Sequence, residues 1–215
     1  MLNALGPHRN ARVIFPIPDA EPIQPQQSKD SAGEFRVCYS GNMYDYGDML
    51  ADLAQLTLQQ TDIRFEFRGR PLWPNGLISK MRKHHLLHDF GSGRAFEEWF
   101  SSFDAYLVVM FFDAAQRRRA ETCFATKLAD YSRFGRPIII WAPEASAIVQ
   151  WARKNRAALA VTNPDPAILM KEIKQLKCDT GSQVELGTRA QDCYYKEFSP
   201  VKLQQQFIAA LNSVV

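Results

Sequence analysis

The segment Glu121-Thr-Cys-Phe-Ala-Thr-Lys-Leu-Ala-Asp-Tyr-Ser-Arg-Phe-Gly-Arg-Pro-Ile-Ile-Ile carries the side chains best spaced for chemistry. It reads as a helix that opens near Thr126, places a carboxylate, Asp130, one turn inside, stops at Gly135 and passes after Pro137 into a buried strand. The first amides of a helix have no partner inside it, so those of Thr126, Lys127 and Leu128 offer a place for a phosphate. Asp130 follows Thr126 by one helical repeat and shares its face, where a carboxylate can accept hydrogen bonds from the paired hydroxyls of a ribose. An ordinary capped helix with a solvated acid and lysine has the same spacing, and local pattern leaves both readings open.

A bound phosphate also calls for positive charge. A charge-assisted hydrogen bond contributes about 1.5–3 kcal/mol, against roughly 0.3–1 for a helix terminus, so an arginine is expected near the site. Arg117, Arg118 and Arg119 stand just ahead of the segment and Arg68 ends a candidate strand; a solvated surface run accounts for the triple arginine equally well. Other groupings support less. Gly91-Ser-Gly-Arg lacks the third glycine of a dinucleotide fingerprint and reads as a turn. His84, His85 and His88 have only Asp89 as a further ligand and no cysteine at ligand spacing, so no metal site is expected. Ser40 and Ser132 have no base partner in the sequence, which gives hydrolase chemistry little support. The Phe96–Phe103 aromatic stripe reads as core.

The elements that must position these residues alternate. Strand-like runs fall at Arg36–Ser40, Ile63–Phe67, Leu86–Asp89, Tyr106–Phe111, Pro137–Trp141 and Ala157–Val161. Between or after them come helical patterns: Met49, Leu50, Leu53 and Leu56; Phe96, Trp99, Phe100 and Phe103; and the segments Ala145–Lys154, Pro166–Leu176, Ser182–Cys193 and Ser199–Asn212. This alternation implies a Rossmann-like doubly wound parallel sheet over about residues 34–215. Ligands of such sheets sit beyond the strand carboxyl ends, which directs attention to the loops Gly41–Gly47, Arg68–Pro74, Phe90–Ala95, Asp113–Thr126 and Ala142–Ala145. Ahead of the domain, Ala11–Pro16 reads as a short strand. Residues 16–33 hold four of the 12 prolines and read as a linker, so residues 1–33 are expected to be left from an interdomain connection.

Composition bounds the rest. The 215 residues are 46% hydrophobic and 23% charged, which fits a globular chain and disfavours disorder. A net charge of +3 is too weak to indicate a nucleic-acid partner. The apolar run at Tyr106–Phe112 falls well short of the roughly 20 residues of a membrane helix, and Met1–Arg12 lacks the apolar stretch of a signal peptide, so a cytoplasmic location is expected. Cys38, Cys123, Cys178 and Cys193 are widely spaced, as suits reduced, mostly buried thiols.

The run Phe124-Ala-Thr-Lys-Leu-Ala-Asp-Tyr-Ser-Arg-Phe-Gly-Arg-Pro-Ile-Ile resembles the signature of the carboxyl-terminal domain of GT-B glycosyltransferases, especially the retaining family-four group. That signature often reads Phe-Pro-Thr/Ser-Lys-Leu-x-Glu-Tyr-x-x-x-Gly-x-Pro-Val-Ile. The order of the remaining pieces is similar too: Phe35-Arg-Val-Cys-Tyr-Ser-Gly-Asn, Phe65-Glu-Phe-Arg-Gly, Leu86-Leu-His-Asp-Phe-Gly and Phe103-Asp-Ala-Tyr-Leu-Val-Val. The resemblance implies one half of a GT-B architecture that binds a nucleoside-diphosphate sugar as substrate, with no cofactor and no essential metal. It implies that Asp130 binds the donor ribose and that Thr126, Lys127 and Leu128 meet the diphosphate. The family's second acid falls here at Thr122, beside Glu121. Its glycine turn falls at Gly41 and Asn42, without the Arg and Lys that commonly follow, a loss for which Arg68 or Arg119 could compensate. The implied partner is an amino-terminal acceptor domain, through which peripheral membrane contact is possible. The alternatives are a non-catalytic nucleotide-sugar or protein-binding module of the same fold, and a GT-B nucleotide-sugar epimerase.

Overall fold

The computed structural model describes residues 14–15, 33–44 and 46–212. Six strands, β1 (Phe35–Ser40), β2 (Ile63–Arg68), β3 (Leu87–His88), β4 (Ala105–Val109), β5 (Ile138–Trp141) and β6 (Leu159–Val161), form one parallel sheet of order β3-β2-β1-β4-β5-β6. Strand order reverses between β1 and β4. This is the switch point at which a doubly wound sheet leaves a crevice.

The helices are α1 (Gly47–Thr57), α2 (Asn75–Lys83), α3 (Gly93–Ser101), α4 (Arg117–Thr122), α5 (Thr126–Ser132), α6 (Ala147–Asn155), α7 (Pro166–Cys178), α8 (Thr180–Cys193) and α9 (Pro200–Asn212), with one π turn at Tyr194–Phe198. They cover both faces of the sheet, so every residue of β4 and β5 is buried. Alternate positions feed two cores. Val37, Tyr39, Phe65, Phe67, Leu107 and Trp141 pack with Leu50 and Leu53 of α1 and Leu169 and Ile173 of α7. Cys38, Tyr106, Val108 and Ile140 pack on the other face with Phe100 of α3, Leu128 of α5, Ile148 of α6 and Ala190 of α8.

The main helix starts follow their capping chemistry. Ser146 accepts from the Val149 amide ahead of α6, and Asp165 accepts from Ala167 ahead of α7, whose first residue is proline. After α5 the chain reverses at Gly135, whose φ of +62° suits glycine, and enters β5 through Pro137.

Several expectations need correction. The Asn75–Lys83 helix has no counterpart in the sequence pattern, because only Leu77 and Met81 of it are buried and its apolar stripe is correspondingly thin. Part of the expected Asp113–Thr126 loop is helical, as α4. Cys38 and Cys193 are buried while Cys123 and Cys178 are exposed, so the thiols are not mostly buried. The strand expected over 11–16 and the linker over 16–33 lie outside the described residues, except that Ile14 and Phe15 are in no strand and Gly33 sits in a turn. The Phe15 ring lies 4.8 Å from Phe124 and 5.3 Å from Phe198, on the second core. Among the described residues no helix is long and apolar enough to cross a membrane.

Candidate functional site

The β1–β4 ladder ends at Cys38↔Tyr106, so the last residues of β1 lie beside the switch-point gap. The Tyr131 hydroxyl of α5 fills it there, donating to the Ser40 carbonyl oxygen at 2.9 Å and accepting from the Ser40 N–H at 3.3 Å. Buried polar backbone needs such partners. Beyond Ser40 the chain turns at Gly41, with φ of +137°, a conformation that side chains rarely adopt. The Lys127 side chain lies across that turn: a Cβ on Gly41 would come within 2.3 Å of Lys127 Cε and 2.7 Å of Nζ. The ammonium also stands 5.4 Å from the centre of the Tyr39 ring. Burial lowers the Lys127 pKa, and the Asp130 carboxylate opposes that shift.

These residues open onto a cleft of about 570 Å³, lined on one side by Gly41, Thr126, Lys127 and Asp130 and on the other by the Gly91–Gly93 turn and α3. That volume lies in the range of small-molecule sites. A cleft of about 610 Å³ lies between α1 and α2, at Leu58, Pro74, Leu77 and Lys80. No strand carboxyl end contributes to it, so the switch-point cleft is the better candidate. The amides of Thr126 and Lys127 have no partner among the described residues, whereas the Leu128 N–H already donates to the Ala125 carbonyl at 3.0 Å. The Leu128 side chain is fully buried in the second core, and Leu128 does not line the cleft.

Arg68 ends β2 with its guanidinium 4.2 Å from the Trp99 ring centre and 5.8 Å from that of Phe96. It donates to the Asp89 carbonyl oxygen and reaches the edge of the cleft at Gly91, where a Cβ would come within 2.3 Å of its Nη1. Burial lowers its pKa, and its Nε is buried without a partner among the described residues.

The other expected site residues lie elsewhere. Asn42 is exposed, with its side chain capping the Tyr44 N–H. Glu121 is paired with Arg117 at 2.6 Å and borders a separate cavity of about 320 Å³ beside Phe112 and Pro143. The Thr122 hydroxyl donates back to the Arg118 carbonyl within α4, and the Arg119 guanidinium lies 4.8 Å from the Phe111 ring centre. None of Arg119, Glu121 and Thr122 lines the cleft that holds Asp130. Among the described residues no group of three His, Cys, Asp or Glu could hold a metal ion.

The structure adds Glu97, Phe96 and Arg133 to the cleft. The Arg133 guanidinium bonds the Glu97 carboxylate at 2.6 Å and lies 4.5 Å from the Phe134 ring centre. Phe96 belongs to the stripe that reads as core, yet it is half-buried on the cleft wall while Phe100 and Phe103 below it are buried. An i, i+3 relation between Asp130 and Arg133 is a sequence signal for that shared face; nothing in the sequence marks Glu97.

No protein-family model and no curated protein matches the chain. Solved structures do. The chain is similar to Anabaena HepE in complex with UDP and glucose, at 15% identity and a TM-score of 0.64, over 85% of this chain and 49% of that one. It is similar to sucrose-phosphate synthase from Thermosynechococcus elongatus, at 15% identity and a TM-score of 0.63, over 85% and 46%. TarM matches at 12% identity and a TM-score of 0.58, over 94% and 38%. The chain therefore has the fold of one Rossmann-like half of the GT-B architecture, and spans half or less of the length of these structures.

Proposed function

We propose that this domain binds the nucleoside-diphosphate sugar of a glycosyltransferase, as the donor half of a longer protein whose other domain supplies the acceptor. One observation carries the reading: the Lys127 ammonium lies across the Gly41 turn in the same switch-point cleft as Asp130. The resembled family commonly places cations after that glycine turn, and here a lysine from α5 brings one to the same turn. The UDP and glucose named with HepE and the family resemblance of the Thr126–Pro137 block support the same ligand class.

In this reading Asp130 accepts from the ribose hydroxyls, and Lys127 with the amides of Thr126 and Lys127 faces the diphosphate. During transfer the anomeric carbon–oxygen bond breaks, its electron pair stays on the diphosphate, and an acceptor oxygen bonds to the anomeric carbon. Fixed positive charge at that diphosphate stabilises the developing negative charge without reorganisation. The acceptor hydroxyl and any base acting on it belong to the other domain, so this chain alone binds donor and transfers little sugar. A cytoplasmic donor pool fits the reading. Calorimetry with nucleoside diphosphates and their sugars tests it: binding weakened by Asp130→Ala is expected, and binding that survives Asp130→Ala unchanged removes the ribose assignment.

A further inference from the structure

Glu97 and Arg133 form a held polar pair on the cleft wall. Arg133 follows Asp130 by three positions, so both face the cleft on successive turns of the same chain segment, with Lys127 the same distance before Asp130. At roughly 1.5 Å of rise per residue, each step along α5 is about 4–5 Å. A nucleotide whose diphosphate meets the Lys127 ammonium and whose ribose meets Asp130 brings its base to Arg133 and Glu97. The Arg133 side chain is only 10% exposed and the Glu97 side chain 39%, so the carboxylate is clamped from within and still open to the cleft. Phe96, its neighbour, supplies an apolar wall on which a base can lie.

We propose that this pair reads the base of the donor and selects guanine. The inference rests on the donor-binding reading above. A carboxylate only accepts hydrogen bonds and a guanidinium only donates them. Guanine offers N1–H and the 2-amino group side by side, with the O6 acceptor next to them, so it satisfies both partners at once. Uracil presents one N–H between two carbonyl oxygens, which sets an oxygen against the carboxylate. Adenine and cytosine place a ring acceptor beside their amino group, with the same conflict. An unmatched base sets a carbonyl oxygen or ring nitrogen against the Glu97 carboxylate, which then keeps only its bond from Arg133, and that acceptor–acceptor conflict is what discriminates. At 15% identity, the UDP complex of HepE leaves the base of this chain's ligand free to differ.

Titration calorimetry of the full chain with GDP, IDP, UDP, ADP and CDP tests the inference. GDP is expected to bind roughly ten- to a hundredfold more tightly than UDP, ADP or CDP, and about tenfold more tightly than IDP, which lacks the 2-amino group. Equal affinity for the five, tighter UDP, or IDP binding as well as GDP overturns base selection by Glu97 and leaves donor binding standing. No binding by any of them overturns both. In Glu97→Gln, with the far-ultraviolet circular dichroism of the parent, the GDP preference over UDP is expected to fall about tenfold. An unchanged ratio overturns the proposal. The wild-type comparison of GDP with IDP decides the matter if that variant does not fold.

Discussion

Tyr131 and Ser40 are 91 positions apart, yet the phenol of one satisfies both backbone groups of the other. This single contact ties α5 to the carboxyl end of β1 at the place where β1 and β4 diverge. The Gly41 turn, over which Lys127 of the same helix lies, follows Ser40 directly. Removing the hydroxyl in Tyr131→Phe leaves two backbone groups of Ser40 without that partner, at a cost of about 1–3 kcal/mol. Urea unfolding should show that loss, and nucleoside-diphosphate affinity should fall as well, because the turn is no longer held. Unchanged stability would show that water replaces the phenol without penalty.

Lys127→Met keeps an unbranched side chain over Gly41, one atom shorter, and removes its charge. Binding of a nucleoside diphosphate should weaken roughly ten- to a hundredfold, while binding of the matching free nucleoside changes little. Equal losses for both ligands would place the ammonium away from the phosphates.

Gly41→Ala puts a methyl group where the Lys127 side chain lies, on a backbone with φ of +137°. The lysine can swing aside, so the clash is cheap, but the backbone strain of about 1–3 kcal/mol remains. The double variant Gly41→Ala/Lys127→Ala should therefore recover little stability over Gly41→Ala. Full recovery in thermal melts would assign the cost to the side chain instead.

Gly187 of α8 poses the opposite case. A Cβ there would meet the Gly135 carbonyl oxygen at 2.3 Å and the Arg136 Cα at 3.2 Å, both backbone atoms that have no rotamer to change. Alanine gains about 1 kcal/mol of helix propensity over glycine, while overpacking against fixed backbone costs typically about 1–3 kcal/mol. Gly187→Ala is thus expected to be net destabilising in denaturant titration, and a stabilised variant would mean that α8 can slide away from the turn after α5.

Glu66 sets an acid limit on stability. Burial raises its pKa, but hydrogen bonds from His88, Arg36 and Arg64 at 2.9–3.0 Å outweigh burial and bring it from 4.5 to about 2. Because the folded value is the lower one, the contribution is present above the unfolded value and fades as pH falls from about 4.5 towards 2. The size is of order 3 kcal/mol, since each tenfold change in proton affinity between the folded and unfolded chain is worth about 1.4 kcal/mol. Urea midpoints measured from pH 7 to pH 2 should drop across that window, and Glu66→Gln should flatten the drop while lowering stability at neutral pH, where Arg36 and Arg64 lose their counter-charge.

Much of the fold is legible because it is written in local periodicity. Apolar runs such as Tyr106–Val109 and Ile138–Trp141, short and alternating with helical segments, read as strands covered on both faces, and they are. The thin stripe of α2 escapes such a reading because only Leu77 and Met81 are buried in it, with Ile78 partly buried beside them. Within the site, the Thr126–Asp130 spacing puts those two residues on one face, since helix geometry decides which residues share a face, and both line the switch-point cleft. Glu121 and Thr122, placed by the family resemblance and not by spacing, do not line that cleft, and the helix-start reading gives Leu128 a free amide that the Ala125 carbonyl already uses.

By itself, then, the sequence determined the strand and helix alternation, the parallel sheet it demands, and a carboxylate one turn into a helix that follows a central strand. Tertiary structure alone decided what that carboxylate faces. The order β3-β2-β1-β4-β5-β6 opens a gap beside β1, and only that gap brings the Gly41 turn, Glu97 of α3 and Arg133 after α5 to one cleft. Glu97 lies 36 positions from its arginine. Its role follows from closure of the chain around the switch point, because a contact between distant segments leaves no trace in the periodicity of either one.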